Sequence, residues 1–134
     1  MQVRNLRASD TLPLDALRRD GQPFGFESLP LDPSWVWVGI RDATICCVLV
    51  TTPAHGLLFL LRMSATPEAP AVATMLLLRR AFSDARRRGL LGYVTFLSDS
   101  TAVEAKLMRI VQRSQNNGSG GLLPASGVWA YGRF

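Results

Sequence analysis

Apolar positions along this chain first fall in short unbroken runs and later recur at every third or fourth residue. "QVRNL", residues 2–6, is a short strand candidate with weak patterning. "WVWVGIR" (35–41) is followed by "TICCVLVTT" (44–52) and "LLFLLRM" (57–63), the last two apolar on both faces as central strands are. Asp42 and Ala43 form one tight connection and "PAHG" the next, so these three segments predict an antiparallel meander. From Ala71 the period lengthens. Met75, Leu78, Phe82 and Ala85 recur at three and four, Leu77 and Ala81 widen the stripe, and Gly89 stands where such a helix stops. "GYVTFL" is a further strand, and "SDSTAVE" opens a second helix with a Thr101–Glu104 capping box and an inner face of Val103, Leu107, Ile110 and Val111. "QNNGSGG" reads as a flexible turn and "GVWAYGRF" as a closing strand.

Nearer the amino terminus, Asp10 or Thr11 offers an N-cap for a short helix through "LPLDALRRD", with Gly21 as its stop. Residues 21–34, rich in Pro, Gly and aromatics, read as a long loop. The order β, α, loop, β, β, β, α, β, α, β predicts an α+β domain with a mixed sheet, and 134 residues suit one domain spanning 1–134.

Composition narrows the partners. The chain is 48% hydrophobic and 19% charged, which argues against disorder. Its net charge of +5, carried by fourteen Arg and the single Lys106, favours an anionic partner. Cys46 and Cys47 are adjacent in an apolar strand, so regular alternation sends them to opposite faces as core thiols of a reducing, cytoplasmic compartment. One His and two neighbouring Cys do not make a four-ligand metal site, so no metal is expected. "TTPAHG" breaks the apolar run 44–63 with a turn, which favours two strands over a membrane span, and no export signal is visible.

The element order, together with "TPEAPAVATMLLLRRAFSDARRRG" (66–89), resembles the GNAT superfamily of acyl-CoA N-acyltransferases: a Pro-Glu start, a loop, a helix and a closing Arg-x-x-Gly. "SDSTAVEAKLM" is similar to the segment after that family's fifth strand. The resemblance implies a mostly antiparallel sheet, flanked by helices, whose fourth and fifth strands splay apart to hold pantetheine. It implies acetyl-CoA or another acyl-CoA as cofactor and an unknown amine as acceptor. The cofactor contacts it implies fall on Met63, Ser64 and Ala65 for pantetheine and on Glu68, Ala71, Val72, Ala73 and Thr74 for the phosphates, with Arg79 and Ser100 nearby. The family's phosphate loop, Gln or Arg, two residues, Gly, one residue, then Gly or Ala, lies over residues 68–73. Three departures weaken anion binding there: Glu68 is negative, Pro70 has no amide hydrogen, and Ala71 carries a methyl group where glycine allows close approach. A second reading of the same stretch needs no ligand, with Thr66 as N-cap, Pro67 at the first helical position and Glu68 in the first turn.

Candidate bases for acyl transfer are His55, whose ordinary pKa lies near neutrality, and Glu27 or Asp32 in the aromatic loop. The position where the family often has a tyrosine acid holds Met108, which leaves that role vacant. Two further readings stand beside the enzyme. One is an inactive GNAT-like binding or assembly module presenting Trp35, Trp37 and Trp129; the other is nucleic-acid binding through Arg79, Arg80, Arg86 and Arg87. Oligomeric state is not legible.

Overall fold

The structure, a computed structural model, describes residues 1–13, 16–19, 22–23, 32–97, 112–113, 116–118, 120–125 and 127–134. The meander forms as its patterning requires. Strand β1 (Gln2–Asn5) pairs with β2 (Val36–Arg41), which pairs with β3 (Thr44–Ala54), which pairs with β4 (Leu57–Ala65), all antiparallel. Helix α1 (Ala73–Arg87) then carries the chain back to β5 (Gly92–Leu97), which lies parallel to β4. Strands β6 (Gly120–Ala125) and β7 (Gly127–Arg133) complete a seven-stranded sheet in the order β1-β2-β3-β4-β5-β7-β6. The mixed α+β architecture is therefore the expected one.

Both meander turns place two central residues at positive φ, Asp42 and Ala43 at 51° and 61°, His55 and Gly56 at 54° and 77°. That backbone matches the twist of the flanking strands. Helix α1 ends where Gly89 takes φ 90°, with the Leu90 amide donating to the Ala85 carbonyl at 3.0 Å. A side chain at Gly89 would be strained there, which is why glycine closes the helix.

Two bulges decide the geometry. In the β2–β3 ladder Gly39 faces Cys47 and Ile40 faces Ile45, so Cys46 is an extra residue. In the β3–β4 ladder Val50 faces Arg62 and Thr51 faces Leu60, so Leu61 is extra. Each extra residue reverses the alternation beyond it and sharpens the local twist. Before the second bulge Leu58 and Leu60 face α1; after it Met63 and Ala65 do.

The sheet buries both faces. Against α1 lie Trp37, Cys47, Leu49, Leu58, Leu60, Met63 and Tyr93, meeting Leu77, Leu78, Ala81 and Ala85 of the helix. On the opposite face Val36, Val38, Ile45, Val48 and Val50 pack with Leu17. Each fully buried Leu or Val contributes about 1.5–3 kcal/mol. The helix is also pinned at its edge: the Arg88 guanidinium lies 4.0 Å from the centre of the Trp35 ring, and Arg80 lies 5.9 Å from that of Trp37.

Four expectations change. Cys46 and Cys47 do not point to opposite faces; the bulge turns both into the α1-side core. Burial, and then the neighbouring Cys46, push the Cys47 thiol up to about 12. The helix expected from Asp10 or Thr11 does not run through to residue 20. The Ala16 and Leu17 amides close a turn on the Pro13 carbonyl, and Arg18–Arg19 pairs with Gln22–Pro23 as a two-residue ladder. Asp10 is not a cap there, because it binds Arg4 at 2.7 Å and accepts from the Arg7 amide at 2.7 Å. Gly120–Ala125, read as part of a turn and connection, is a strand, and its Pro124 is tolerated because β6 is an edge. Finally, α1 begins at Ala73, so Thr66 is not its cap. Of the second helix, Gln112, Arg113 and Asn116 are described and helical, with the Asn117 amide on the Arg113 carbonyl at 3.1 Å.

Candidate functional site

The β4–β5 ladder runs from Leu57–Gly92 to Leu60–Thr95 and ends there, although β4 continues to Ala65 and β5 to Leu97. The bulge at Leu61 falls on the next residue of β4. A bulged strand bends and twists more strongly than its neighbour. Pairing between the two strands therefore stops at Leu61, on the side where β4 runs on towards residues 66–72 and the start of α1.

Those residues form a loop of turns rather than a first helical turn. The Thr66 amide donates to the Cys46 carbonyl at 2.8 Å, the Ala69 amide to Thr66 at 3.0 Å, and the Ala73 amide to Pro70 at 2.9 Å. Pro67 and Pro70 have no amide hydrogen. Of the loop's donors this leaves at most those of Glu68 and Val72 for a ligand. The start of α1 is more favourable. Val72 provides no side-chain cap and the first turn has no acidic residue, so the positive end of the helix is not neutralised locally.

Thr74 sits in that first turn, 3% exposed, with its hydroxyl oxygen buried and without a hydrogen-bond partner. An orphaned buried hydroxyl is destabilising by about 1–3 kcal/mol, so it marks a place where a partner belongs. Arg41, from the end of β2, reaches the loop from the other side and donates to the Glu68 carbonyl at 3.5 Å. Together an uncapped helix start, an orphaned hydroxyl and a nearby guanidinium fit a phosphate-bearing group, with fewer loop amides than a glycine-rich loop would supply.

The structure brings Met63, Ser64, Ala65, Glu68, Ala71, Val72, Ala73 and Thr74 to this end of the sheet. Met63, Ser64, Ala73 and Thr74 are buried, whereas Glu68, Ala71 and Val72 are exposed. Arg79 is exposed farther along α1. His55 is not part of the group. It occupies the β3–β4 turn, at the far end of the nine-residue β4, roughly 26 Å along the strand from residue 65. Asp32 accepts from the Ser34 amide at 3.0 Å and the Ser34 hydroxyl at 2.9 Å, so its carboxylate is engaged in capping a short helix. Glu27, Ser100 and Met108 lie outside the described residues. Sequence reasoning missed Arg41, since only the hairpin register carries it to a loop 27 residues later.

On the helix surface Arg87 and Arg88 both pair with Asp84 and Arg80 lies over the buried Trp37, while Arg79 and Arg86 are exposed. The described residues contain no helix long and apolar enough to cross a membrane.

No protein-family model matches the sequence, and no curated protein resembles it closely enough to match. Solved structures do. The ribosomal-protein-S18-alanine N-acetyltransferase of Escherichia coli superposes with a TM-score of 0.72 at 14% identity, over 98% of this chain and 92% of that one. The fold is that of the GNAT acetyltransferases. A Staphylococcus aureus acetyltransferase of the GNAT family matches at TM-score 0.53 and 12% identity, over 73% of this chain and 66% of that one. The PaiA N-acetyltransferase of Thermoplasma acidophilum, solved with coenzyme A, gives 0.59 at 13% identity over 74% of this chain, which spans 60% of its length. The end of the β4–β5 ladder is thus set within a GNAT fold.

Proposed function

We propose that this chain is an acyl-CoA-dependent N-acyltransferase. Residues 66–74 hold the diphosphate, and the pantetheine arm follows Met63, Ser64 and Ala65 where β4 has lost its β5 partner. The observation that carries this reading is the end of the ladder at Leu60–Thr95, immediately before the bulge at Leu61. Bound acyl-CoA supplies an activated thioester, and transfer joins the acceptor's amine nitrogen to the acyl carbon as the C–S bond breaks and the thiol leaves with a proton. The chain's own part is to bind and orient. The Thr74 hydroxyl donates to a phosphate oxygen, the helix start adds positive potential, and Arg41 offers a charge-assisted contact that offsets Glu68. Acetyl-CoA is the simplest donor, and the reducing cytoplasm suits the two free thiols.

A GNAT-fold domain that binds without catalysing is the second reading. It is favoured by the positions of His55 and Asp32, neither of which serves that end of β4 as a base. Thermal denaturation with acetyl-CoA, CoA and a short DNA duplex separates these readings, because a ligand that binds only the folded state raises the melting temperature. Stabilisation by both acetyl-CoA and CoA, with turnover on an amine panel, establishes the enzyme. The same stabilisation without turnover leaves the binding module. Stabilisation by DNA alone, or by nothing, rejects the acyl-CoA site.

A further inference from the structure

We propose that Cys46, Cys47 and Met1 form a three-sulfur site for a soft monovalent cation, Cu(I). The inference starts from the bulge in β3 and is independent of the acyl-CoA reading. Adjacent cysteines in a regular strand face away from each other, but the extra residue at Cys46 turns both thiols to the same side. The Cys46 thiol lies 3.7 Å from the Met1 thioether sulfur, and Cys47 belongs to the same buried cluster. Gly39, opposite Cys47, makes the room: a Cβ there would collide with the Cys47 sulfur and come within 2.9 Å of the Met1 sulfur. The Cys47 and Met1 sulfurs therefore meet over the bare Cα of Gly39, and the Cys46 thiol donates to the Gly39 carbonyl at 3.5 Å.

The spacing suits trigonal coordination. A metal bonded to three sulfurs at about 2.3 Å each holds them roughly 4 Å apart, close to the 3.7 Å found between Cys46 and Met1. The donor set selects the ion. Two thiolates and a thioether favour Cu(I) over zinc, which takes four ligands in closed sites, and over hard cations, which take oxygen. Among the described residues no group of three or more His, Cys, Asp or Glu could hold a metal, so a site at the two cysteines needs the Met1 thioether as its third donor. Access exists as well. Cys46 lines a cavity of about 440 Å³ that Arg41 also lines, and Met1 is 41% exposed. On binding, the two thiols release their protons to solvent and form two metal–thiolate bonds, while Met1 donates a sulfur lone pair. No electron is transferred. The resulting group carries one net negative charge, and Arg41 across the cavity is of the opposite sign.

The test is anaerobic titration of the full chain with Cu(I) against a chromogenic Cu(I) chelator, followed by X-ray absorption. One equivalent withheld from the chelator, with three sulfurs at about 2.3 Å, is the expected result. Cys46→Ser and Cys47→Ser should each lower affinity by more than the 10–100-fold that loss of an outer partner brings. A chain begun at Gln2 should still bind, with two sulfurs and weaker retention. Cys47→Ala serves if the serine variant does not fold, and circular dichroism reports folding for each. Full loss of copper to the chelator, two-sulfur linear coordination in the intact chain, tighter retention of Zn(II), or affinity unchanged by both cysteine substitutions would each overturn the site.

Discussion

Between Leu57 and Leu60, strand β4 is paired to β3 on one edge and to β5 on the other, and its inward side chains lie in a core where Tyr93 stacks on Phe82 with ring centres 4.8 Å apart. Beyond Leu61 the same strand keeps its β3 register as far as Cys47–Ala65, but the β5 ladder has ended. One half of β4 is paired on both edges, and the other has lost its β5 partner. The composition changes too, from "LLFL" to "LRMSA", which brings in Arg62 and Ser64. The extra residue at the boundary changes the geometry as well, and it teaches that a bulge can end one pairing of a strand while the other continues.

The comparison can be broken most severely in the paired half. Leu58 is fully buried, and Leu58→Ala should lower unfolding free energy by about 2–5 kcal/mol in urea melts. In the other half, Thr74→Val should do the reverse, because it removes an orphaned hydroxyl while keeping its volume. Stability should rise by about 1 kcal/mol and CoA affinity, by calorimetry, should fall. A loss of stability instead would show that the hydroxyl has a structural partner.

A smaller gain comes from Glu68→Gln combined with Ala71→Gly. Removing a carboxylate near an exposed helix start is worth about 0.3–1 kcal/mol, so CoA should bind several-fold more tightly. Unchanged affinity would move the phosphates away from this loop. The gentlest probe lies away from both halves, at the Arg4–Asp10 pair. The hydrogen bonds from Arg4 and then from the Arg7 amide hold the Asp10 carboxyl down to about 2. A depressed carboxyl stabilises the fold fully above its ordinary value near 4 and loses that contribution as pH falls towards 2. Asp10→Asn should therefore be less stable than the parent at pH 6, and the difference should shrink through this window.

Much of the fold was legible because its signals are local. The apolar runs at 36–41 and 44–54, the tight turns at 42–43 and 55–56 and the stripe of α1 are written in neighbouring residues. Gly120–Ala125 escaped because two glycines and a proline have little strand propensity, and only pairing with β7 makes them a strand. The helix start escaped for a related reason. Thr66, Pro67 and Glu68 match a cap by type, but the Thr66 amide is drawn into the β3–β4 ladder by the Cys46 carbonyl. Arg41 was not legible as part of the site, since no local pattern ties it to Glu68.

The sequence by itself determined the kinds and order of β1 to β5, α1 and β7, because hydrophobic period, turn chemistry and helix stops depend on residues a few positions apart. Tertiary structure alone decided the two bulges. Runs such as "ICCVLV" and "LLFLL" are apolar at every position, so shifting the register by one residue still buries apolar side chains, and the pattern cannot say where the extra residue goes. Partner strands and the packing of α1 made that choice, and with it came the end of the β4–β5 ladder and the meeting of the Cys47 and Met1 sulfurs at Gly39.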